Sequence, residues 1–376
     1  MADDRVIDLT IKYPNLMNAP KSVDLCLTGH CNLKCSYCFY ADSMQDKKDL
    51  NTEQWKATIK ELGEIGVQDV CLSGGEVFVR KDFWELLDSV IENRMRYSIL
   101  SNGTLITEKT IEEFGKGKRR LRMNSIQVSI DGSCAEIHNK SRPHDSFDKA
   151  LNGLKLLVKN KFPATCRCTI NHHNYHDLEN VGKLLLEEVG LSSFSTNEAE
   201  QMGTARCNGQ DVVLSVEQRT RAMNDLMNLN EKYKGRIQAQ AGPLTRAKGF
   251  KEMEALIEKG ELKIPGRGNL VSCGGVFSKM AILHDGTMVP CNMLHTLSMG
   301  TVGINSIKEA WQRHPSINVV RDRRKISLRE FEQCKDCEYV EMCTGGCPAS
   351  IAARFDKLNE IDPLSCYKEY LKEKKL

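Results

Sequence analysis

The sequence predicts an α/β fold: a parallel sheet with outer helices, either open or curled into part of a barrel, followed by a cysteine-rich tail. Two observations carry that prediction. Six short apolar or β-branched runs recur between residues 22 and 198, and stretches of helical periodicity such as DFWELLDSVIENR and SFDKALNGLKLLVKN alternate with them. The sixteen cysteines are unevenly placed, with four in residues 26–38 and seven in residues 273–366.

In chain order the runs are SVDLCLT, VQDVCLSGG, RYSILSNG, NSIQVSIDG, ATCRCTIN and LSSFSTNE. Chemistry in such folds sits on loops at the carboxyl ends of the strands. The loop after the first run carries Cys31, Cys35 and Cys38, and the polar tails SGGE, SNGT and SIDG of the next three runs reach the same rim. Residues 208–265 read as mostly helical, until IPGRGN breaks the periodicity. Two short strands around KMAILHDGTMVPC follow, with a hairpin turn at Asp285-Gly286, then a helix SIKEAWQRH. The domain reading is an N-terminal segment 1–22, a barrel 23–207, a helical connecting region 208–268 and a cysteine-rich domain 269–376.

Composition narrows the function. A formal charge of +3, from 53 basic and 50 acidic residues, advertises neither nucleic acid nor an anionic membrane. The start MADDRVIDLTIKYPN has no continuous apolar segment of the signal-peptide kind. No window approaches the roughly 18 uncharged apolar residues of a membrane span. The expected location is the cytoplasm, where thiols stay reduced and metal chemistry accounts for many cysteines better than disulfides.

Three thiolates spaced C-x₃-C-x₂-C favour zinc or an iron–sulfur cluster. A structural zinc site wants a fourth ligand. Cys26 lies inside the apolar run VDLCLT and reads as a core thiol, not that ligand. Three cysteines on a cubane leave one iron free to hold a small molecule.

The stretch CNLKCSYCFY resembles the signature of radical S-adenosylmethionine (radical SAM) enzymes. That resemblance implies a partial (β/α)6 TIM-like barrel. It also implies a [4Fe–4S] cluster on Cys31, Cys35 and Cys38 whose fourth iron chelates S-adenosylmethionine. By the same resemblance Tyr37 and Phe39, Gly74, Gly75 and Glu76 of SGGE, Ser101 and Asn102 of SNGT, Ser129 and Arg142 lie against the cofactor. The glycines would let backbone approach a ligand, and Arg142 would fork onto a carboxylate. In that family the cluster's electron cleaves the sulfonium, and a 5′-deoxyadenosyl radical takes hydrogen from the substrate while protein orients it and excludes water.

The tail cysteines resemble the SPASM extension found on part of this family. By that resemblance Cys334, Cys337, Cys343 and Cys366 hold one auxiliary [4Fe–4S] cluster, and Cys273, Cys291 and Cys347 grip another, making three clusters in all. Two departures set the chain apart from sulfatase-maturating members. The run GGVFSKMAIL after Cys273 has no further cysteine, and Asn292 follows Cys291 where they have an aspartate base. Seven thiols leave one auxiliary iron open to a substrate thiolate, with water, Cys207 or a carboxylate as rival caps.

The expected activity is therefore a radical SAM oxidoreductase acting on a ribosomally made peptide or protein, thioether formation being one outcome. A small metabolite or tetrapyrrole is the alternative substrate, and a non-catalytic iron–sulfur electron carrier the alternative of another class. Expected partners are an electron donor such as flavodoxin or ferredoxin and, with only 22 residues before the first strand, a separate leader-peptide-binding protein. The basic run RDRRKISLRE reads as a solvated helix face, with steering of an acidic substrate as its rival. Glu198 and Glu200 read as carboxylates near the mouth that would touch substrate or cofactor, and Asp131 as a turn cap.

Overall fold

A computed structural model describes residues 13–44, 48–143 and 145–373, so the first 12 residues of the predicted N-terminal segment lie outside the described part. The six predicted runs form strands β1 (Ser22–Thr28), β2 (Asp69–Gly74), β3 (Arg96–Ser101), β4 (Met123–Ser129), β5 (Ala164–Ile170) and β6 (Phe194–Glu198). Neighbours pair in parallel throughout. The two faces differ in chemistry. Val23, Leu25, Val70, Leu72, Tyr97, Ile99, Ile126 and Val128 are buried in one core with Trp55, Ile59, Leu62, Phe83 and Leu87 from the covering helices. Alternate positions such as Asp24, Cys71, Ser98, Ser125 and Arg167 are only half-buried on the other face.

Local signals explain the covering helices. Thr52–Glu64 begins on an Asn51 capping box and buries Trp55, Thr58, Ile59 and Leu62, one stripe at helical spacing. Trp55 also donates its indole N–H to the carbonyl of Leu27 at 3.2 Å, fixing the helix over β1. Each such buried apolar side chain contributes about 1.5–3 kcal/mol.

Two features exceed the expectation. The connecting region is helical at Val216–Lys232 and Pro243–Ile257, as predicted, but between them β7 (Ile237–Ala239) adds a seventh parallel strand beside β6. Three residues, IQA, are too short a run for alternation to declare a strand. The predicted tail hairpin, β8 (Lys279–Ile282) and β9 (Met288–Val289), turns at Gly286, which sits at φ 87°. It does not stand apart: β8 pairs in parallel with β1, giving one sheet in the order β7-β6-β5-β4-β3-β2-β1-β8-β9. Among the described residues no helix is long and apolar enough to cross a membrane.

Candidate active site

β1 ends at Thr28, and the cysteine loop begins there. Asp49 anchors its start, accepting from Thr28 Oγ1 at 2.5 Å and the Gly29 amide at 2.8 Å. The β2 loop packs directly beneath: the Gly75 amide donates to Thr28 O at 2.8 Å and the Glu76 amide to His30 O at 2.9 Å. A Cβ on Gly75 would lie 2.1 Å from His30 O, and one on Gly74 2.4 Å from Thr28 O. The contact that demands glycine here is the backbone of the cysteine loop itself.

Glu76 is completely buried. It accepts from the Asn102 amide at 2.7 Å, Ser101 Oγ at 2.9 Å and the Phe78 amide at 3.3 Å. Burial pushes its carboxyl up to about 6, and those donors limit the rise. Asn102 in turn donates to Asn32 Oδ1 at 2.8 Å, and Asn32 to Thr104 Oγ1 at 2.9 Å. The SGGE and SNGT loops are thus clamped to the cysteine loop, with Glu76 as the internal tie.

The third support is Asp131. Its carboxylate accepts from Arg142 Nε at 2.6 Å, the Thr169 amide at 2.8 Å and the Tyr37 hydroxyl. Its own amide donates to His138 Nδ1 at 3.1 Å. Asp131 is therefore a fully buried hub, a role that its place in an ordinary-looking turn did not announce. The carboxylate found at Arg142 is Asp131's, while Arg142 Nη1 points at Cys35 Sγ across 3.7 Å. Burial opposes the charge of Arg142, yet Asp131 and the Tyr37 oxygen hold the guanidinium above its usual range. Burial raises Tyr37 and all three thiols, Cys35 to about 11 despite Arg142 beside it. Iron binding at such thiols must displace protons. Ser129 lies half-buried at the end of β4. Phe39 packs toward the tail, against the Tyr40 ring at 6.2 Å and the patch formed by Cys26, Ala281 and Val289. Cys26 is the core thiol expected, 1% exposed.

The thiols fall into three groups whose members lie close enough for the ionisation of one to raise the pKa of the next. Cys35 is influenced by Cys31 and Cys38. Cys343 is influenced by Cys366, Cys337 and Cys334. Cys291 is influenced by Cys347 and Cys273. Cys334, Cys337, Cys343 and Cys366 line one cavity of about 580 Å³ with Leu328, Val340 and Ile361. Among the described residues no three His, Cys, Asp or Glu side chains converge on a single-ion centre. Four thiols around one cavity form a soft donor set that fits an iron–sulfur cluster. Cys291 Sγ lies 3.6 Å from the Asn292 amide oxygen. Cys207 is exposed on a short helix whose Thr204 and Asn208 bond the front loop at Cys35 O and Ser36 O.

One expectation about charged residues is overturned. Arg321 and Arg323 are completely buried, so the basic run is neither a solvated face nor a steering patch at those positions. Arg321 donates to Val276 O at 2.9 Å and Trp311 O at 2.8 Å, and Arg323 to Val271 O at 2.9 Å. Burial pushes both down to about 10, and Cys347 partly offsets this at Arg323. Glu198 and Glu200 are likewise engaged by the chain itself. Glu198 meets Arg219 at 2.7 Å and also Arg246, Glu200 meets Arg354 at 3.6 Å, and Arg354 meets Asp362 at 2.8 Å. This network ties the end of β6 to the helical region and the tail.

Comparison with known proteins agrees with this architecture. Residues 25–185 match the Radical SAM superfamily, and residues 273–338 match SPASM, an iron–sulfur cluster-binding domain. The AdoMet-dependent heme synthase of Methanosarcina barkeri is 26% identical over 360 residues, 94% of this chain and 98% of that protein. The mycofactocin maturase MftC of Mycolicibacterium smegmatis is 24% identical over 350 residues, 91% of this chain and 81% of that protein. The crystal structure of Streptococcus suis SuiB bound to precursor peptide SuiA has the same fold, with a TM-score of 0.69 at 17% identity, over 93% of this chain and 77% of that one. The class defined by barrel and front loop is the radical SAM superfamily. More narrowly, the chain is a radical SAM enzyme with a partial TIM-like barrel and a C-terminal SPASM domain, similar in sequence to an AdoMet-dependent heme synthase and to a mycofactocin maturase.

Proposed function

We propose that the enzyme oxidises a ribosomally made peptide or protein in the cytoplasm with three [4Fe–4S] clusters. One sits on Cys31, Cys35 and Cys38, one on Cys273, Cys291 and Cys347, and one on Cys334, Cys337, Cys343 and Cys366. The observation that carries this reading is the sorting of ten cysteines into those three mutually interacting groups. When bound, the front cluster and S-adenosylmethionine supply a carbon radical that takes a hydrogen atom from the substrate. The chain's own residues orient and insulate: Arg142 keeps a positive charge beside Cys35, Asp131 holds Arg142 and Tyr37 in place, and Glu76 locks the neighbouring loops. Tyr37, Phe39, Gly74, Gly75, Glu76, Ser101, Asn102, Ser129 and Arg142 form the cofactor side of this rim, within a barrel spanning residues 23–207.

Likeness to a mycofactocin maturase and to SuiB with its precursor peptide supports a peptide substrate. The three-thiol tail group has room in its ligand count for a substrate thiolate, which favours thioether formation, and Asn292 offers no carboxylate base of the sulfatase-maturating kind. Flavodoxin or ferredoxin would supply electrons, and a separate leader-binding protein would present the peptide. A second reading, a tetrapyrrole side chain, is favoured by the near full-length alignment with a heme synthase.

The test is anaerobic incubation with S-adenosylmethionine and dithionite, offering peptides encoded beside this gene or iron coproporphyrin III. The expected result is 5′-deoxyadenosine together with a peptide lacking two hydrogens by mass spectrometry. An altered porphyrin with untouched peptides would transfer the assignment to the second reading. No 5′-deoxyadenosine at all would remove both.

A further inference from the structure

The face of the sheet opposite the covering helices carries a polar row that the cluster sites leave unused. Strand register sets Ser129 of β4, Arg167 of β5, Ser195 of β6 and Gln238 of β7 side by side. The sheet curls as a partial barrel with its helices outside, so this face is its concave side. Arg167 Nε donates to Ser195 Oγ at 2.7 Å, which fixes the plane of the fork and leaves both terminal amino groups to other partners.

Among the described residues no carboxylate pairs with Arg167. Four other well-buried arginines each have one, Arg80 with Asp82, Arg119 with Asp88, Arg142 with Asp131 and Arg219 with Glu198, while Arg321 and Arg323 in the tail are met by backbone carbonyls. The remaining ion pair of the concave face is closed, with Lys279 Nζ 2.8 Å from Asp24 Oδ1. One unneutralised cation therefore stands in a half-buried polar hollow, in register with Ser129, the residue assigned to the cofactor side.

Holding a guanidinium partly out of water without a counter-ion costs free energy that an anion would recover. A planar fork with both amino groups free matches a carboxylate bidentately, and one net charge suits a monoanion better than a phosphate dianion. We propose that Arg167, braced by Ser195, is a carboxylate-binding site in the barrel, and that the substrate presents a free carboxylate there. This rests on the radical-enzyme reading of the rim, and it applies equally to a peptide's acidic group or chain terminus and to a tetrapyrrole propionate.

The experiment uses the anaerobic holoenzyme loaded with S-adenosylmethionine and glutarate as the probe, with affinity read by saturation-transfer NMR. Glutarate binding should weaken roughly tenfold or more in R167M and by less in R167K, which keeps the charge and loses the fork. S-adenosylmethionine affinity should stay within about threefold in both, since the neighbouring contacts remain. Iron content close to wild type in R167K guards against a folding defect. Equal glutarate binding by wild type and R167M, no binding by wild type, or parallel loss of S-adenosylmethionine would overturn the proposal; the last would give the fork to the cofactor. Displacement of glutarate by a peptide acid but not its amide, or by iron coproporphyrin III but not its methyl ester, identifies the source of the carboxylate. If no peptide is modified while glutarate binding still depends on Arg167, the peptide reading falls and the carboxylate site stands.

Discussion

Cys31, Cys35 and Cys38 occupy a loop tied to its neighbours by buried polar groups: Asp49 at its start, Glu76 and Asn102 on one side, Asp131 and Arg142 on the other. Cys334 ends one single-turn 3₁₀ segment, Cys343 follows the next, Cys337 lies between the two, and Cys366 follows a third, all lining one cavity. The first arrangement holds its shape through contacts the protein makes with itself. The second encloses a space, so more of its order depends on what fills that space. One chain thus contains a preorganised reaction site and a ligand-dependent fold element.

The sharpest way to separate the two is to remove the front thiols together. Cys31, Cys35 and Cys38 replaced by alanine should abolish 5′-deoxyadenosine formation and remove about one third of the iron, while the thermal midpoint moves little. Retained cleavage, followed by chromatography of the nucleoside, would contradict the assignment. Cys366→Ser or Cys334→Ser should do the reverse, lowering iron content and the melting midpoint by several degrees, with S-adenosylmethionine binding by the front site retained.

Asp131→Asn probes the preorganised half directly. It leaves Arg142 buried beside Cys35 without its carboxylate, and urea unfolding should report a loss of about 3–5 kcal/mol. A loss under 1 kcal/mol would mean that the hub is dispensable.

The smallest expected effect is a pH dependence at His138, which is completely buried and whose imidazole burial pushes down to about 4. Asp131 nearby favours its protonation and Arg142 opposes it. The unfolded chain takes up this proton near pH 6.5 and the folded chain does so only near 4. The stability associated with neutral His138 is therefore fully present above about pH 6.5 and is lost as pH falls toward 4, amounting to about 3 kcal/mol. His138→Gln, which keeps an acceptor for the Asp131 amide, should flatten the decline in urea midpoint between pH 7 and 5 relative to wild type. Parallel profiles would rule out His138 as its source.

Much of the barrel was legible because its strands are short β-branched runs ending in polar loops, a pattern set locally. The front triplet was legible because its C-x₃-C-x₂-C spacing is written along the chain, whereas the sorting of the tail thiols came only from resemblance to the SPASM extension. What escaped was decided by partners distant in sequence. Asp131 reads as a turn residue until Tyr37, Arg142 and Thr169 are brought to it. Arg321 and Arg323 read as solvated until Trp311, Val276 and Val271 supply aromatic and carbonyl surroundings. β7 is visible only as an addition to β6, and Arg167 stands out only once its neighbours are seen to be uncharged.

The parallel pairing of β8 with β1 joins Ser22 to Lys279 and Leu25 to Ile282. The strand that launches the front loop keeps a bare hydrogen-bonding edge until more than two hundred further residues have been synthesised. A ribosome-bound or truncated chain ending before the hairpin would expose that edge to other chains, making aggregation of such fragments the expected failure of any attempt to express the barrel without its tail.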